Sequence, residues 1–170
     1  HSEDEVSVRC MDSSCPNKFE RLLQYFASKN CMDIEGLGSR ICSILFKEKL
    51  ITSLDEIYLL KNKKNELLDI EGFGELSIEK LFESIENSKN KSFSNLVTSF
   101  GIEGVGVEIA DLITEKVSNL IEIKEYSKDQ SSFRDFLENI DGIGPIVAEK
   151  IIIWFKEDKN IDLIEKFIDL

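Results

Sequence analysis

Glycine pairs that flank a single apolar residue recur four times along the chain and could bind an anion through backbone amides. The copies of Ile-acid-Gly-apolar-Gly occupy residues 34–38, 70–74, 102–106 and 140–144, named hairpins 1 to 4 here, and contain eight of the nine glycines. Glycine adopts positive φ without steric cost, and its missing Cβ lets a ligand approach the backbone. If a helix begins directly after each second glycine, its unpaired N–H groups and positive dipole end suit a phosphate.

Four cysteines and one histidine are the other residues with possible chemistry: Cys10, Cys15, Cys31, Cys42 and His1. The chain begins at His1 without a basic and apolar leader, so we expect a piece of a longer protein rather than a secreted precursor. We therefore expect free thiols or metal ligands rather than disulfides. No nucleophile with a partner base stands out, so the sequence predicts no catalytic residue.

Helices are expected on both sides of the hairpins, because apolar residues there follow the i, i+3, i+4, i+7 spacing. These stripes are Phe19-Leu22-Leu23-Phe26, Ile78-Leu81-Phe82-Ile85, Phe93-Leu96-Val97-Phe100, Phe133-Phe136-Leu137-Ile140 and Ala148-Ile151-Ile152-Phe155. Ser53-x-x-Glu56 and Ser132-x-x-Asp135 have the pattern of capping boxes, and Pro145 suits a first helical turn. No useful period-two run occurs, so the sequence predicts an all-α fold.

The net charge of −12 counts against nonspecific nucleic-acid binding through Lys and Arg. Amides at a helix start bind phosphate without a basic side chain, so the acidity leaves a local phosphate site open. The acidic position of each repeat must then face away from the phosphate; it is filled by Glu35, Glu71, Glu103 and Asp141. A second interpretation is a helical protein-interaction scaffold that uses the repeat only for packing. No apolar run approaches the eighteen residues of a membrane span.

The repeat resembles the helix-hairpin-helix motif of DNA-repair and replication proteins, in which a small residue follows the second glycine by four positions. Ala110 and Ala148 fill that position, Cys42 fills it after hairpin 1, and Ile78 departs from the pattern after hairpin 2.

A longer string is more specific. Residues 25–38, YFASKNCMDIEGLG, are similar to the segment of bacterial NAD-dependent DNA ligases that joins a zinc finger to the first hairpin. Residues 54–60, 85–89 and 100–106 are similar to successive landmarks of the same region, so the resemblance covers nearly the whole chain.

The resemblance implies an all-α tandem helix-hairpin-helix domain over residues 19–170, preceded by the second half of a four-cysteine zinc finger over residues 1–18. Cys10 and Cys15 would be its third and fourth zinc ligands, with the first pair before His1. Two thiolates make a poor zinc site, so we expect this chain to bind little or no zinc. We expect Cys31 and Cys42 to be small buried residues instead.

The family seals nicks in duplex DNA with NAD, Mg²⁺ and Zn²⁺, in the bacterial cytoplasm, during replication and repair. Its adenylation domain carries a Lys-x-Asp-Gly string that this chain lacks, so we expect the chain alone to be inactive. The resemblance implies a module that grips nicked duplex DNA across the minor groove. We expect it to be a monomer and to bind no cofactor. The residues expected at DNA are Gly36, Leu37, Gly38, Gly72, Phe73, Gly74, Gly104, Val105, Gly106, Gly142, Ile143, Gly144, Lys29, Arg40 and Lys150. A helix-hairpin-helix module of a nuclease or junction-binding protein is the alternative within DNA biology.

Overall fold

All regular secondary structure in the described part of the chain is helical, which confirms the all-α prediction. The computed structural model describes residues 16–170. Its α-helices are α1 (Pro16–Phe26), α2 (Ser39–Lys47), α3 (Lys64–Leu68), α4 (Glu75–Ser88), α5 (Phe93–Ser99), α6 (Val107–Thr114), α7 (Leu120–Ser127), α8 (Gln130–Glu138), α9 (Pro145–Lys156) and α10 (Asp158–Asp169). A 3-10 helix spans Leu54–Lys63. None of these helices could cross a membrane, judged by length and apolar content.

The predicted apolar stripes form one core. Their most buried members include Leu23, Phe26, Phe133, Leu137 and Ile151. Each side chain lies on the inward face of its helix, as the 3.6-residue period requires.

The start signals are partly correct. Ser53 and Glu56 form the predicted capping box, although it opens a 3-10 helix, and Pro145 is the first residue of α9. The box predicted at Ser132 is wrong, because α8 begins at Gln130 and Asp129 caps it by accepting the Ser131 amide at 3.2 Å. An Asp at the N-cap accepts a hydrogen bond from a first-turn amide just as a serine would.

An aromatic cluster around Phe167 of α10 joins the early and late helices. Its ring centroid lies 6.1 Å from those of Phe26 and Tyr58 and 5.5 Å from that of Phe100. Phe100 in turn packs on Trp154, with 5.6 Å between centroids. These distances match favourable aromatic pairs, so α10 ties α1 and the 3-10 helix to the helices around hairpin 4.

Residues 1–15 lie outside the described residues, and with them Cys10 and Cys15. Since α1 begins at Pro16, residues 16–18 of the predicted finger segment belong to that helix. The finger and its boundary at residue 18 stay predictions.

Candidate nucleic-acid interface

The first glycine of each hairpin makes the turn that the sequence predicted. Its φ is +98° at Gly36, +94° at Gly72, +85° at Gly104 and +102° at Gly142. L residues rarely adopt such values, because their Cβ collides with the backbone. Glycine at this position is therefore required by the fold alone.

The second glycine has a different role. Gly38, Gly74, Gly106 and Gly144 are each the N-cap of the following helix, with φ between −81° and −100°. Any residue adopts this extended backbone, and a Cβ built at any of the four would meet no atom within 4 Å. All four glycines are exposed. Nothing in the described part of the chain explains why side chains are missing there.

The helix starts that follow carry uncapped amides. Ser, Thr, Asp or Asn is the usual N-cap, because its oxygen accepts a first-turn N–H. At none of the four glycine N-caps does a side chain of residues 16–170 accept a hydrogen bond from the first-turn amides. Each start thus presents N–H donors and the positive helix end to solvent. After hairpin 4 one donor is missing, since Pro145 has no N–H.

The central apolar residues hold the turns rather than offer amides. The amides of Phe73, Val105 and Ile143 donate to the carbonyl three residues earlier at 3.1, 2.9 and 3.0 Å. Val105 and Ile143 are buried, as is Leu37 of hairpin 1. Their contribution is to anchor the hairpin.

The hairpins form two reciprocal pairs, which the sequence did not predict. A Cβ at Gly36 would lie 3.3 Å from Leu81 of α4, and one at Gly72 would lie 2.6 Å from the Arg40 guanidinium of α2. Arg40 also donates to the Glu71 carbonyl at 3.1 Å. The Ser84 hydroxyl of α4, the helix after hairpin 2, accepts a hydrogen bond from the Glu35 amide of hairpin 1 at 2.8 Å. Hairpins 1 and 2 are therefore locked together.

Hairpins 3 and 4 repeat this arrangement. A Cβ at Gly104 would lie 3.3 Å from Lys150 of α9, and one at Gly142 would lie 2.8 Å from Leu112 of α6. Lys150 also pairs with Glu103 of hairpin 3 at 3.2 Å. Each first glycine thus touches the helix that follows its partner hairpin.

The predicted cations are placed differently from one another. Arg40 and Lys150 lie at the hairpins, as just described. Lys29 is exposed in the turn after α1, and no hydrogen bond or ion pair within residues 16–170 joins it to a hairpin. The acidic position of every repeat is exposed; that its carboxylate faces away from a phosphate stays a prediction.

The sequence did not predict three exposed apolar side chains that lie beside the second glycines. Leu76, Val107 and Ile146 lie in the first turns after hairpins 2, 3 and 4 and are 69%, 44% and 73% exposed. An apolar residue one or two positions after an N-cap glycine was the available signal. Ile146 and Leu76 have the largest exposed fractions of the exposed large apolar residues.

The small-residue position lies in the core. Cys42, Ile78, Ala110 and Ala148 are all fully buried. Cys31 is also buried, and both described cysteines are free thiols, as predicted. Burial, with a smaller effect of the Glu20 carboxylate, raises the pKa of the Cys42 thiol to about 12. Within residues 16–170 no three His, Cys, Asp or Glu side chains converge as metal ligands.

Comparison with known proteins shows what the chain is similar to. A model of the helix-hairpin-helix motif matches residues 95–164, which contain hairpins 3 and 4. The DNA ligase of Clostridioides difficile is 34% identical over 164 residues, covering 96% of this chain and 23% of that enzyme. The chain is homologous to a segment of bacterial DNA ligases.

Other ligases match the same segment. Those of Mesoplasma florum and Mycoplasma mycoides are 35% and 36% identical and cover 95% and 97% of this chain. The chain spans about a quarter of the length of these ligases, 23% and 24% respectively.

Proposed function

We propose that this chain is the DNA-binding module of an NAD-dependent DNA ligase and grips the backbone of nicked duplex DNA across the minor groove. The observation that carries the proposal is the second glycine of each hairpin. It sits at an exposed helix start where the protein itself has room for a side chain, in all four copies. A phosphate held by the following amides supplies the missing reason, because a side chain there would obstruct its approach.

Amide binding accommodates the charge of −12. The donors are neutral groups fixed by helix geometry, so close contact with phosphate needs few lysines. Leu76, Val107 and Ile146 would then lie along the deoxyribose edges beside the bound phosphates. Contacts to phosphate and sugar carry no base information, so binding is expected to tolerate any sequence.

The parent enzyme would use NAD and Mg²⁺ to seal nicks in the bacterial cytoplasm during replication and repair. These 170 residues contain no Lys-x-Asp-Gly string, so the chain alone is expected to be an inactive monomer. They do not fit a complete zinc site either, since Cys31 and Cys42 are buried in the core. Only Cys10 and Cys15 remain as candidate ligands, and structural zinc takes four.

Fluorescence anisotropy across a salt series tests the proposal, with intact and nicked duplexes of unrelated sequence and a four-way junction. Affinity is expected to fall as the salt concentration rises, because salt cations compete for the phosphates. The variant with Gly38, Gly74, Gly106 and Gly144 all changed to Ala is expected to lose more than tenfold in affinity. Ser118→Ala, a neutral exposed change beyond the far end of α6, is the control.

Unchanged affinity in the folded quadruple variant would remove the amides from the interface. Tighter binding to the nick than to the intact duplex and junction supports ligation, whereas preference for the junction favours the junction-binding alternative. Absence of binding at low salt would favour the scaffold interpretation.

A further inference from the structure

The two hairpins of each pair differ in the charge at their helix starts. The first turns after hairpins 2 and 3 contain an acidic residue, Glu75 in α4 and Glu108 in α6. The first turns after hairpins 1 and 4 contain none. Each reciprocal pair therefore combines one hairpin with an acidic start and one without.

The acid after hairpin 2 keeps a net negative charge despite an ion pair. Lys64 lies 3.2 Å from the Glu75 carboxylate and 3.3 Å from that of Glu79, so one ammonium serves two carboxylates. After hairpin 3, Glu108 is exposed and has no ion-pair partner within residues 16–170. Both carboxylates lie where the positive helix end would attract a phosphate.

The other two helix starts favour an anion. Ser39 and Arg40 are the first two residues after Gly38, so hairpin 1 keeps all its amides and has no acidic side chain in the first turn. Hairpin 4 loses the amide of Pro145 but keeps those of Gly144, Ile146 and Val147, with no acidic side chain among them.

In each pair of hairpins, the cation is carried by the helix that follows hairpin 1 or hairpin 4. Arg40 follows hairpin 1 and lies across Gly72 of hairpin 2, while Lys150 follows hairpin 4 and lies across Gly104 of hairpin 3. Both charged groups are thus engaged at the partner hairpin, Arg40 by the Glu71 carbonyl and Lys150 by the Glu103 carboxylate, so the difference between the hairpins rests on the first-turn acids.

We propose that hairpins 1 and 4 provide most of the phosphate affinity, and that Glu75 and Glu108 keep hairpins 2 and 3 weak. This inference rests on the proposed function. A carboxylate in the first turn occupies the same positive potential as a phosphate and repels it, by an amount that added salt reduces. The outer hairpins in chain order would then grip the DNA, one from each pair.

Single glycine variants test the ranking by anisotropy with an intact duplex. Gly38→Ala and Gly144→Ala are expected to weaken binding at least fivefold, and Gly74→Ala and Gly106→Ala less than twofold. All four add the same methyl group in open space at an extended backbone.

Charge removal supplies the opposite sign. Glu75→Gln and Glu108→Gln are expected to strengthen binding by about two- to fivefold at low salt, the range of one unit-charge repulsion near contact in water. The controls are Glu86→Gln and Glu115→Gln, at the far ends of the same helices. Glu86 also pairs with a lysine, Lys89, at 2.9 Å, so it matches Glu75 in releasing a cation.

Equal losses in all four glycine variants would overturn the ranking and leave the proposed function intact. Strengthening by the control variants as large as that by Glu75→Gln and Glu108→Gln would also overturn it, because net charge would then explain the effect. Loss in none of the glycine variants would instead refute amide binding itself.

Discussion

The two glycines of one hairpin are expected to differ sharply in what they contribute to stability. Gly142 and Gly144 of hairpin 4 are separated by one residue, yet φ is +102° at the first and −91° at the second. We expect Gly142→Ala to destabilise the fold and Gly144→Ala to leave it nearly unchanged.

The magnitude follows from the local geometry. Alanine at the left-handed backbone of Gly142 costs about 1–2 kcal/mol. Its Cβ would lie 2.8 Å from Cδ1 of Leu112, and displacing that side chain from its rotamer costs about 0.5–1.5 kcal/mol more. The free energy of unfolding should fall by about 1.5–3.5 kcal/mol. At Gly144 the small cost of alanine as an N-cap is offset by the reduced entropy of the unfolded chain, which leaves about 0.5 kcal/mol or less.

Thermal denaturation followed by far-ultraviolet circular dichroism measures the difference. For a chain of this length about 1 kcal/mol shifts Tm by roughly 2–4 °C. Gly142→Ala is therefore expected to lower Tm by about 3–14 °C and Gly144→Ala by about 2 °C or less. Equal shifts in the two variants would refute the assignment of one glycine to the turn and the other to the open helix start. They would also make the glycine variants unsuitable as tests of DNA binding.

Two further predictions concern a buried thiol and an exposed apolar side chain. The folded pKa of Cys42, about 12, exceeds the value near 8.5 of an unfolded thiol. The contribution of the protonated Cys42 thiol to stability is therefore complete below about pH 8 and is lost as pH rises towards 12. Once the unfolded thiol is ionised, the free energy of unfolding falls by about 1.4 kcal/mol per pH unit. Urea denaturation at pH 8 and 10 should show a smaller loss of stability in Cys42→Ala than in the wild type, and identical losses would contradict the burial argument. Ile146→Ser should weaken duplex binding by about three- to tenfold through lost apolar contact, with the dependence of affinity on salt unchanged. The control variant Ile153→Ser, two turns further along α9, should have no effect. A changed salt dependence would argue against a purely apolar contact.

The repeat and the helices were predictable because they depend on local sequence. Glycine at a positive φ and the 3.6-residue apolar period leave direct signatures, as at Gly36 and in the stripe from Phe19 to Phe26. The small-residue position at Cys42 and Ala110 is equally local, since its side chain packs at a fixed distance after each turn. The predicted cap at Ser132 was wrong because Asp129, three residues earlier, competes for the same helix start.

The pairing of hairpins was not predictable, because it depends on contacts between distant segments. Arg40 was expected to act on phosphate alone, yet its guanidinium packs on Gly72 and binds the Glu71 carbonyl of the neighbouring hairpin. Lys150 and Leu112 make corresponding contacts across the second pair. A spacing of about 35 residues predicts that a unit recurs but not which copies face each other.

Under the proposed function, the exposed second glycines explain how an acidic chain binds phosphate. Charge at long range is screened over about 10 Å in ordinary salt, so distant carboxylates matter less than the few groups at the contact. At those contacts the helices offer uncapped amides, and the acids of the repeats face solvent. The exceptions are Glu75 and Glu108, which lie within the first turn itself. On the proposed ranking of the hairpins, whether an acid sits before the turn or just after it would have more influence on phosphate binding than the net charge of the chain.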